Sequence, residues 1–229
     1  MDNLCVPSTA LAVTFACATC ANADFALVYS GMSALEQIHY TYTSDPSVMW
    51  DAPTRDADTF GFAGRILFND GAIDGFCIEL EQAVASDANP YSLQSFDERS
   101  NDEYERGRLL SSLFQQYYQQ VVDSDSNAMA AAFQVMAWEL THENFSSYQE
   151  ARSEASVLTG ATQFDGLSVQ ALDYFQQMQN DLFVSGSTDG IAVLHNNQFQ
   201  DFVTVVVPAP SALAIAGFAI AAGRRRRRS

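Results

Sequence analysis

The sequence predicts an α+β fold in which antiparallel strands come first, a helical hairpin occupies the middle, and a third helix with two short strands closes the chain. Three observations support this order. Residues 24–93 are rich in β-forming side chains and alternate apolar with polar positions, as strands do. Residues 102–142 instead repeat apolar side chains every three or four positions, which is typical of amphipathic helices. β-branched and other apolar residues return at 190–195 and 199–207, where we expect the closing strands.

Short turn sequences separate the N-terminal strands. The alternation predicts strands at residues 37–43, 59–68 and 75–80. An Asn-Asp-Gly sequence at 69–71 predicts the turn between the second and third strands, and Asp-Ala-Asn-Pro at 87–90 predicts a further turn. Strands that follow one another through such short connections are expected to pair in antiparallel fashion.

Two helices are predicted in the middle of the chain and one nearer its end. They cover residues 102–121, 128–142 and 168–183. A polar break separates the first two, and Ser126 or Asn127 is expected to cap the second helix. We expect that helix to bury one apolar stripe, made of Met129, Phe133, Met136 and Leu140.

The composition is acidic, lysine-free and apolar enough to fold. The chain has 28 acidic and 11 basic side chains, all of the basic ones arginines, and a formal net charge of −17. Five of the arginines lie together at 224–228, so the rest of the chain is more acidic still. Such a body repels phosphate backbones, which excludes nucleic acid as a partner. A hydrophobic fraction of 48% excludes general disorder and suits one sizeable core.

The N-terminal segment is interpreted as a targeting sequence. Residues 4–21 are mostly small and apolar, and Ala-Asn-Ala at 21–23 has the small-x-small form that signal peptidase accepts. We therefore expect a signal peptide at 1–23, with cleavage before Asp24. A buried N-terminal strand or helix is the alternative.

The C-terminal tail, residues 208–229, combines three elements in order. A Val-Pro-x-Pro-Ser box precedes an apolar stretch at 211–223, which is shorter than the ~20 residues of a relaxed membrane-spanning helix. An arginine block follows, and it would remain cytoplasmic under the positive-inside rule. The residues that define the tail are Pro208, Pro210, Ser211, Arg224 and Arg225.

This tail resembles a PEP-CTERM sorting signal, although Ala209 stands where the glutamate that names the family usually lies. The resemblance implies export by a Gram-negative bacterium that produces exopolysaccharide, with signal peptidase and an exosortase as processing partners. It also implies transient contact with the inner membrane and a final location at the cell surface or in the extracellular matrix. An ordinary tail anchor is the alternative.

Counting cysteines leaves one thiol in the mature chain. Of the four cysteines, Cys5, Cys17 and Cys20 lie within the predicted signal peptide, so Cys77 would have no internal disulfide partner. An unpaired thiol in an exported protein is exposed to oxidation and exchange, which calls for a reason to keep it. A buried, inert cysteine that acts as a small apolar residue is the alternative.

A glutamine and a tryptophan lie one turn apart on the second predicted helix. Gln134 and Trp138 share a side of a helix that is otherwise largely Ala, Met and Phe. An amide in such apolar surroundings must find hydrogen-bond partners or react. Gln134 is therefore a candidate functional residue, with the structural role of a satisfied core glutamine as the alternative.

Together with Cys77 in Gly-Phe-Cys-Ile-Glu, this helix resembles the bacterial thioester domains, in which a strand cysteine joins the side chain of a helical glutamine. The resemblance covers about 63–143, within a body at 24–207. It implies that Cys77 and Gln134 form an internal thioester. It further implies that two aromatic side chains pack over the bond, namely Trp138 and Phe133.

The expected function is that of an exported adhesion or anchoring module that captures an amine of a surface protein or contacts polysaccharide. It is not expected to be an enzyme or to need a cofactor. The main alternative is a non-reactive structural or exopolysaccharide-associated protein with the same scaffold. A remoter one is a cysteine hydrolase in which His39, His142 or His195 activates Cys77.

No metal site is predicted. Glu139 and His142 form one Glu-x-x-His motif, but a di-metal carboxylate bundle needs a second copy and further glutamates, which the sequence lacks. His142 is instead expected at the surface or as a helix cap.

Overall fold

The computed structural model describes residues 25–43, 56–96, 101–143, 145, 147–183 and 185–206. Within these ranges it contains eight strands and four helices, which confirms the predicted α+β class. The predicted signal peptide and the predicted sorting tail lie outside the described residues. None of the described helices is both long enough and apolar enough to cross a bilayer.

The elements follow one another in the predicted order, with short additions. The strands are β1 (Phe25–Leu27), β2 (Tyr29–Tyr42), β3 (Ala57–Phe68), β4 (Ile73–Cys77), β5 (Asn89–Gln94), β6 (Thr162–Asp165), β7 (Ile191–His195) and β8 (Phe202–Val205). The helices are α1 (Asn101–Ser124), α2 (Asn127–His142), α3 (Tyr148–Glu154) and α4 (Val169–Asp181). The strands β1, β5 and β6 and the helix α3 are not predicted from the sequence, because these short segments show no clear apolar period.

All of the described strands form one antiparallel sheet, in the order β1-β5-β7-β8-β4-β3-β2-β6. The pairing of β4 with β8 joins the N-terminal strands to the last described strand, because it places Cys77 opposite Phe202. The predicted turn between β3 and β4 is confirmed. Asn69, Asp70 and Gly71 all have positive φ there, as a tight reversal requires.

Helix α2 is buried on almost every side, which corrects the expectation of one apolar stripe. Fourteen of its sixteen residues are buried, whereas Met129 is only partly so. The helix lies between the β2–β3 hairpin and the helices α1 and α4. A helix that is apolar around its whole circumference is stable only in such a position.

The polar break before α2 has two structural roles. Ser126 caps α2, since its hydroxyl accepts the N–H of Met129 at 3.3 Å, as expected. Asn127 reaches across to β2, where its Oδ1 accepts the N–H of Leu35 at 3.1 Å. That contact lies at an irregularity in β2, next to Ala34 with φ of 50°. The helical hairpin is thereby attached to a β-bulge in the sheet.

Strand β3 stops pairing with β4 two residues before Cys77. The paired residues run from Phe68 opposite Ile73 to Ile66 opposite Gly75, and continuing the same register by two residues would place Gly64 opposite Cys77. At Gly64 the bulge of β2 is so close that an added Cβ would lie 2.6 Å from the Ala34 carbonyl oxygen. The main chain of Cys77 therefore faces a gap in the sheet.

We predict that Gly64→Ala lowers the free energy of unfolding by about 1–3 kcal/mol, because the new methyl group overlaps backbone atoms that cannot move independently. Gly186→Ala is the matched control, since its Cβ would enter open space, and it should change stability by less than about 0.5 kcal/mol. Urea unfolding followed by circular dichroism measures both. Equal effects of the two substitutions would contradict the crowding at Gly64.

Candidate functional site

Cys77 lies at the end of β4 with its side chain on the face of the sheet that Phe202 shares. Residues directly opposite one another in an antiparallel pair point to the same face, and Cys77 is opposite Phe202. Phe202 in turn contacts the rings of Phe68 and Tyr91, at centroid distances of 4.9 and 6.0 Å. Phe76 points the other way, towards the helices. The thiol is consequently buried in an aromatic layer, with only 6% of Cys77 exposed.

The Gln134 carboxamide occupies the gap beside Cys77. Its Oε1 accepts the Cys77 N–H at 2.9 Å, and its Nε2 donates to the Cys77 carbonyl at 2.8 Å. The next residue, Ile78, donates its N–H towards β8, to the Asp201 carbonyl at 3.1 Å. Because successive main-chain groups alternate sides, those of Cys77 face away from β8, where β3 no longer pairs. Gln134 thus supplies the two hydrogen bonds that a strand residue would otherwise make.

This geometry brings the two predicted residues together. Both hydrogen bonds end on the main chain of Cys77, so the Gln134 carboxamide lies beside the Cα of Cys77. The sulfur of Cys77 is two bonds from this Cα. The described contacts engage the main chain of Cys77 and not its sulfur. For the sulfur and the carbonyl carbon to bond, the amide would have to release the main chain and turn towards the thiol.

The surroundings of the thiol keep it uncharged. Burial raises the pKa of Cys77 far above its ordinary value, the negative charge of Glu79 raises it further, and a backbone hydrogen bond lowers it by less. Cysteine hydrolases depend on the opposite arrangement, in which nearby cations or a helix N-terminus stabilise the thiolate. The site therefore favours a neutral sulfur, either as thiol or as acylated sulfur.

Glu79 is a functional candidate that the sequence analysis does not identify. It is only 3% exposed and follows Cys77 by two positions. Its carboxylate accepts the Asp201 N–H at 2.6 Å and the Gln82 side-chain amide at 3.3 Å. The signal in the sequence is a charged residue within an otherwise apolar predicted strand, but only the fold shows that its partner is Asp201, just before β8 and 122 residues further along the chain.

The three histidines are occupied by other contacts. His142 is 2% exposed, so the expectation of a surface or capping position is wrong. The expectation fails because a polar residue at a helix end usually faces water, whereas α2 is buried up to its last turn. His39 lies 2.6 Å from Asp58. His142 lies 2.8 Å from Thr141, and His195 lies 2.7 Å from Asp201.

Phe133 and Trp138, predicted to cover the bond, lie on either side of Gln134 along α2. Phe133 packs on Phe76 with a centroid distance of 4.4 Å. Trp138 stacks on Phe164 at 5.6 Å with an angle of 9° between the rings, and it contacts Tyr40 at 6.3 Å. These contacts hold α2 against the sheet on both sides of Gln134 and so fix the position of its amide.

Glu139, next to Trp138, is a buried acid like Glu79. Its Oε2 accepts the Ser156 N–H at 3.2 Å, while its Oε1 is buried without a hydrogen-bond partner. Desolvation, followed by the neighbouring charge of Glu143, raises the pKa of Glu139 to about 9. The carboxyl is therefore protonated at neutral pH, which suits burial but not metal binding. Within the described ranges, no group of three or more potential metal ligands occurs.

Comparison of the chain with protein-family models, with curated proteins and with solved structures finds no match.

We predict that Gln134→Met lowers the free energy of unfolding by about 2–4 kcal/mol. Methionine has a similar shape, but it leaves a buried N–H and a buried carbonyl of Cys77 without partners. Gln120→Met on the exposed side of α1 is the control and should cost less than about 0.5 kcal/mol. Chemical unfolding of both variants checks this. A Gln134→Met protein as stable as the control would contradict a stabilising role for the two hydrogen bonds between Gln134 and the main chain of Cys77.

We predict that stability decreases as the pH rises from about 5 to about 9, and that Glu139→Gln reduces this decrease. In that range the folded chain retains a proton on Glu139 that the unfolded chain releases, so rising pH favours unfolding, with a slope of up to about 1.4 kcal/mol per pH unit. Glutamine stays neutral and still accepts the Ser156 N–H. Urea midpoints at several pH values test this, and parallel curves for the two proteins would exclude Glu139 as the cause.

Proposed function

We propose that this chain is an exported surface or extracellular-matrix protein that serves as an adhesion or anchoring module, and that Cys77 and Gln134 form an internal thioester able to capture amines. The observation that carries the proposal is the pair of hydrogen bonds that places the Gln134 carboxamide on the residue that bears the buried thiol. Once the amide turns from the main chain to the thiol of the same residue, the two groups react with the large effective concentration that a slow amide-to-thioester exchange requires.

Formation of the bond needs a proton acceptor near the sulfur, and Glu79 is the candidate. The thiol proton moves to the Glu79 carboxylate, the sulfur bonds to the carbonyl carbon of Gln134, and the carbon–nitrogen bond of the amide breaks. The leaving nitrogen takes up the proton from Glu79 and departs as ammonia. The Asp201 N–H and the Gln82 amide hold the carboxylate in place during both transfers.

The same burial would protect the bond afterwards. Water is excluded by the aromatic layer around Cys77, and a sulfur whose pKa is raised by burial is a poor leaving group. When a partner's primary amine reaches the site, it attacks the carbonyl carbon, an amide forms, and the sulfur leaves and takes up a proton. The products are a covalent link to the partner and a free thiol.

The export route is supported by the ends of the sequence. The predicted signal peptide at 1–23 and the tail at 208–229 frame the folded body, and the tail resembles PEP-CTERM signals. Signal peptidase and an exosortase would be processing partners, with transient inner-membrane contact, and a surface protein amine or a polysaccharide would be the ligand. A body without lysine side chains also offers no amine of that kind to its own thioester.

A non-reactive scaffold is the second candidate, and one observation favours it. Both polar atoms of the Gln134 amide are already satisfied by the main chain of Cys77. These two hydrogen bonds are sufficient reason for a glutamine to be buried at this position. The two candidates share the contact and differ only in whether the sulfur becomes acylated.

The intact mass of the mature protein, exported by a native-like Gram-negative host, distinguishes them. We expect a mass lower by one ammonia than that of the processed sequence. Methylamine should then produce an adduct and release one titratable thiol.

Cys77→Ser is the matched control and should show neither the mass deficit nor the adduct. Glu79→Gln retains an acceptor for the Asp201 N–H but cannot take up the thiol proton, so it should slow formation by about tenfold or more. A wild-type mass equal to that of the processed sequence, in folded material, would favour the non-reactive scaffold.

A further inference from the structure

The outward side of the β2–β3 hairpin, with the neighbouring β6, presents aromatic rings among polar side chains. The register places Phe60 opposite His39, and His39 is opposite Asp165 of β6, so these three side chains form a row across three strands on one face. Phe62 and Gln37 form the next row. We call the set Gln37, His39, Asp58, Phe60, Phe62 and Asp165 the Phe60 face.

The Phe60 face is exposed where the opposite side of the same strands is buried. Phe60 is 69% exposed and Phe62 is 53% exposed, whereas Ile38 and Tyr42, which alternate with the outward residues of β2, are almost fully buried. Two large rings two positions apart on an otherwise polar sheet surface form an apolar patch with a polar rim. Such patches are typical of interaction sites.

A shallow cavity of about 370 Å³ adjoins the rings. It lies within the size range of small-ligand sites. Its walls combine an apolar ring with amide, imidazole and carboxylate groups, and they consist of Gln37, Ile38, His39, Phe60, Asp165 and Gly166.

The orientation of Phe60 is fixed by its neighbours. Its ring lies 4.8 Å from the His39 ring, at an angle of 57° between the planes. His39 Nε2 is in turn 2.6 Å from Asp58 Oδ1. The exposed aromatic platform is thus held by a ring contact and a hydrogen bond, which lowers the entropy that a ligand would have to remove.

We propose that the Phe60 face binds a pyranose glycan that carries no acidic groups. A pyranose ring has a face of C–H bonds, which packs on the electron-rich face of an aromatic ring, and a rim of hydroxyls. The amide of Gln37 and the carboxylate of Asp165 lie beside the rings, where they would bond such hydroxyls. Alternate positions along β3 present two rings to successive sugar units.

Charge decides against anionic ligands. Apart from His39, the charged residues of the Phe60 face are the acids Asp58 and Asp165, on a chain with a formal net charge of −17. Uronic-acid polymers and anionic lipid surfaces would be repelled at this face. A neutral glycan avoids that repulsion and uses the carboxylates as hydrogen-bond acceptors.

This inference rests on the adhesion half of the proposed function and not on the thioester. The Phe60 face and the Cys77–Gln134 pair have no residue in common. The intact mass therefore reports only on the thioester, and glycan binding reports only on the Phe60 face. A Cys77→Ser protein should bind glycan with unchanged affinity.

The test is binding of the purified mature chain to immobilised neutral oligosaccharides of glucose, mannose, galactose and N-acetylglucosamine, with a uronic-acid oligosaccharide beside them. We expect at least one neutral oligosaccharide to bind and the uronic-acid oligosaccharide not to bind. Phe60→Leu should weaken that binding by about tenfold or more, because the aliphatic side chain offers no ring face. Phe60→Tyr should retain it.

Phe183→Leu is the matched control, since Phe183 is an exposed ring just after α4 and outside the Phe60 face, and it should bind like the unmodified chain. Circular dichroism confirms folding of each variant. Absence of binding to every neutral oligosaccharide, preferential binding of the uronic-acid oligosaccharide, or equal affinity of the Phe60→Leu and unmodified chains would overturn the proposal.

Discussion

The rest of the structure depends on two hydrogen bonds between the side chain of Gln134 and the main chain of Cys77. They satisfy the main chain of β4 where β3 no longer pairs with it, and they join the central helix to the strand that pairs with β8. A side chain that replaces a strand residue is costly to lose, because it leaves a donor and an acceptor unpaired in the core. This one contact therefore couples the helical layer to the sheet and places the amide on the main chain of the residue that bears the thiol.

The core around this contact is mainly apolar and aromatic, and several of the ionisable groups buried in it are uncharged. Burial keeps the thiol of Cys77 neutral, and it keeps the carboxyl of Glu139 protonated at neutral pH. Glu79 and Asp201 are also buried, and they are held by main-chain N–H groups and by His195. Buried acids are tolerated where each has hydrogen-bond donors or a proton. The same conditions would suit a thioester, which is neutral and sensitive to water.

The proposed reactive pair and the proposed glycan-binding face occupy different parts of the molecule. Cys77 and Gln134 lie within the core, where a partner can reach them only after some opening of the structure. Phe60 and Phe62 lie on the outward side of the β2–β3 hairpin, where a ligand needs no such opening. A glycan held at the surface and an amine captured in the core would be two separate attachments. The first would be reversible and the second covalent.

The sequence by itself determined the α+β class, the order of the main elements, a helix cap at Ser126 or Asn127, and Gln134 as a buried amide that needs partners. These follow from local periodicity, from turn and capping chemistry, and from the rule that a glutamine in an apolar helix must be satisfied, whereas Cys77 is linked to Gln134 only by the resemblance to thioester domains. Only the tertiary structure decided that α2 is buried on almost all sides, and with it His142. It also decided that the short strands β1, β5 and β6 exist, and that Glu79 meets Asp201. Those features arise from contacts between residues far apart in the chain, whose register a single sequence does not encode in any local pattern.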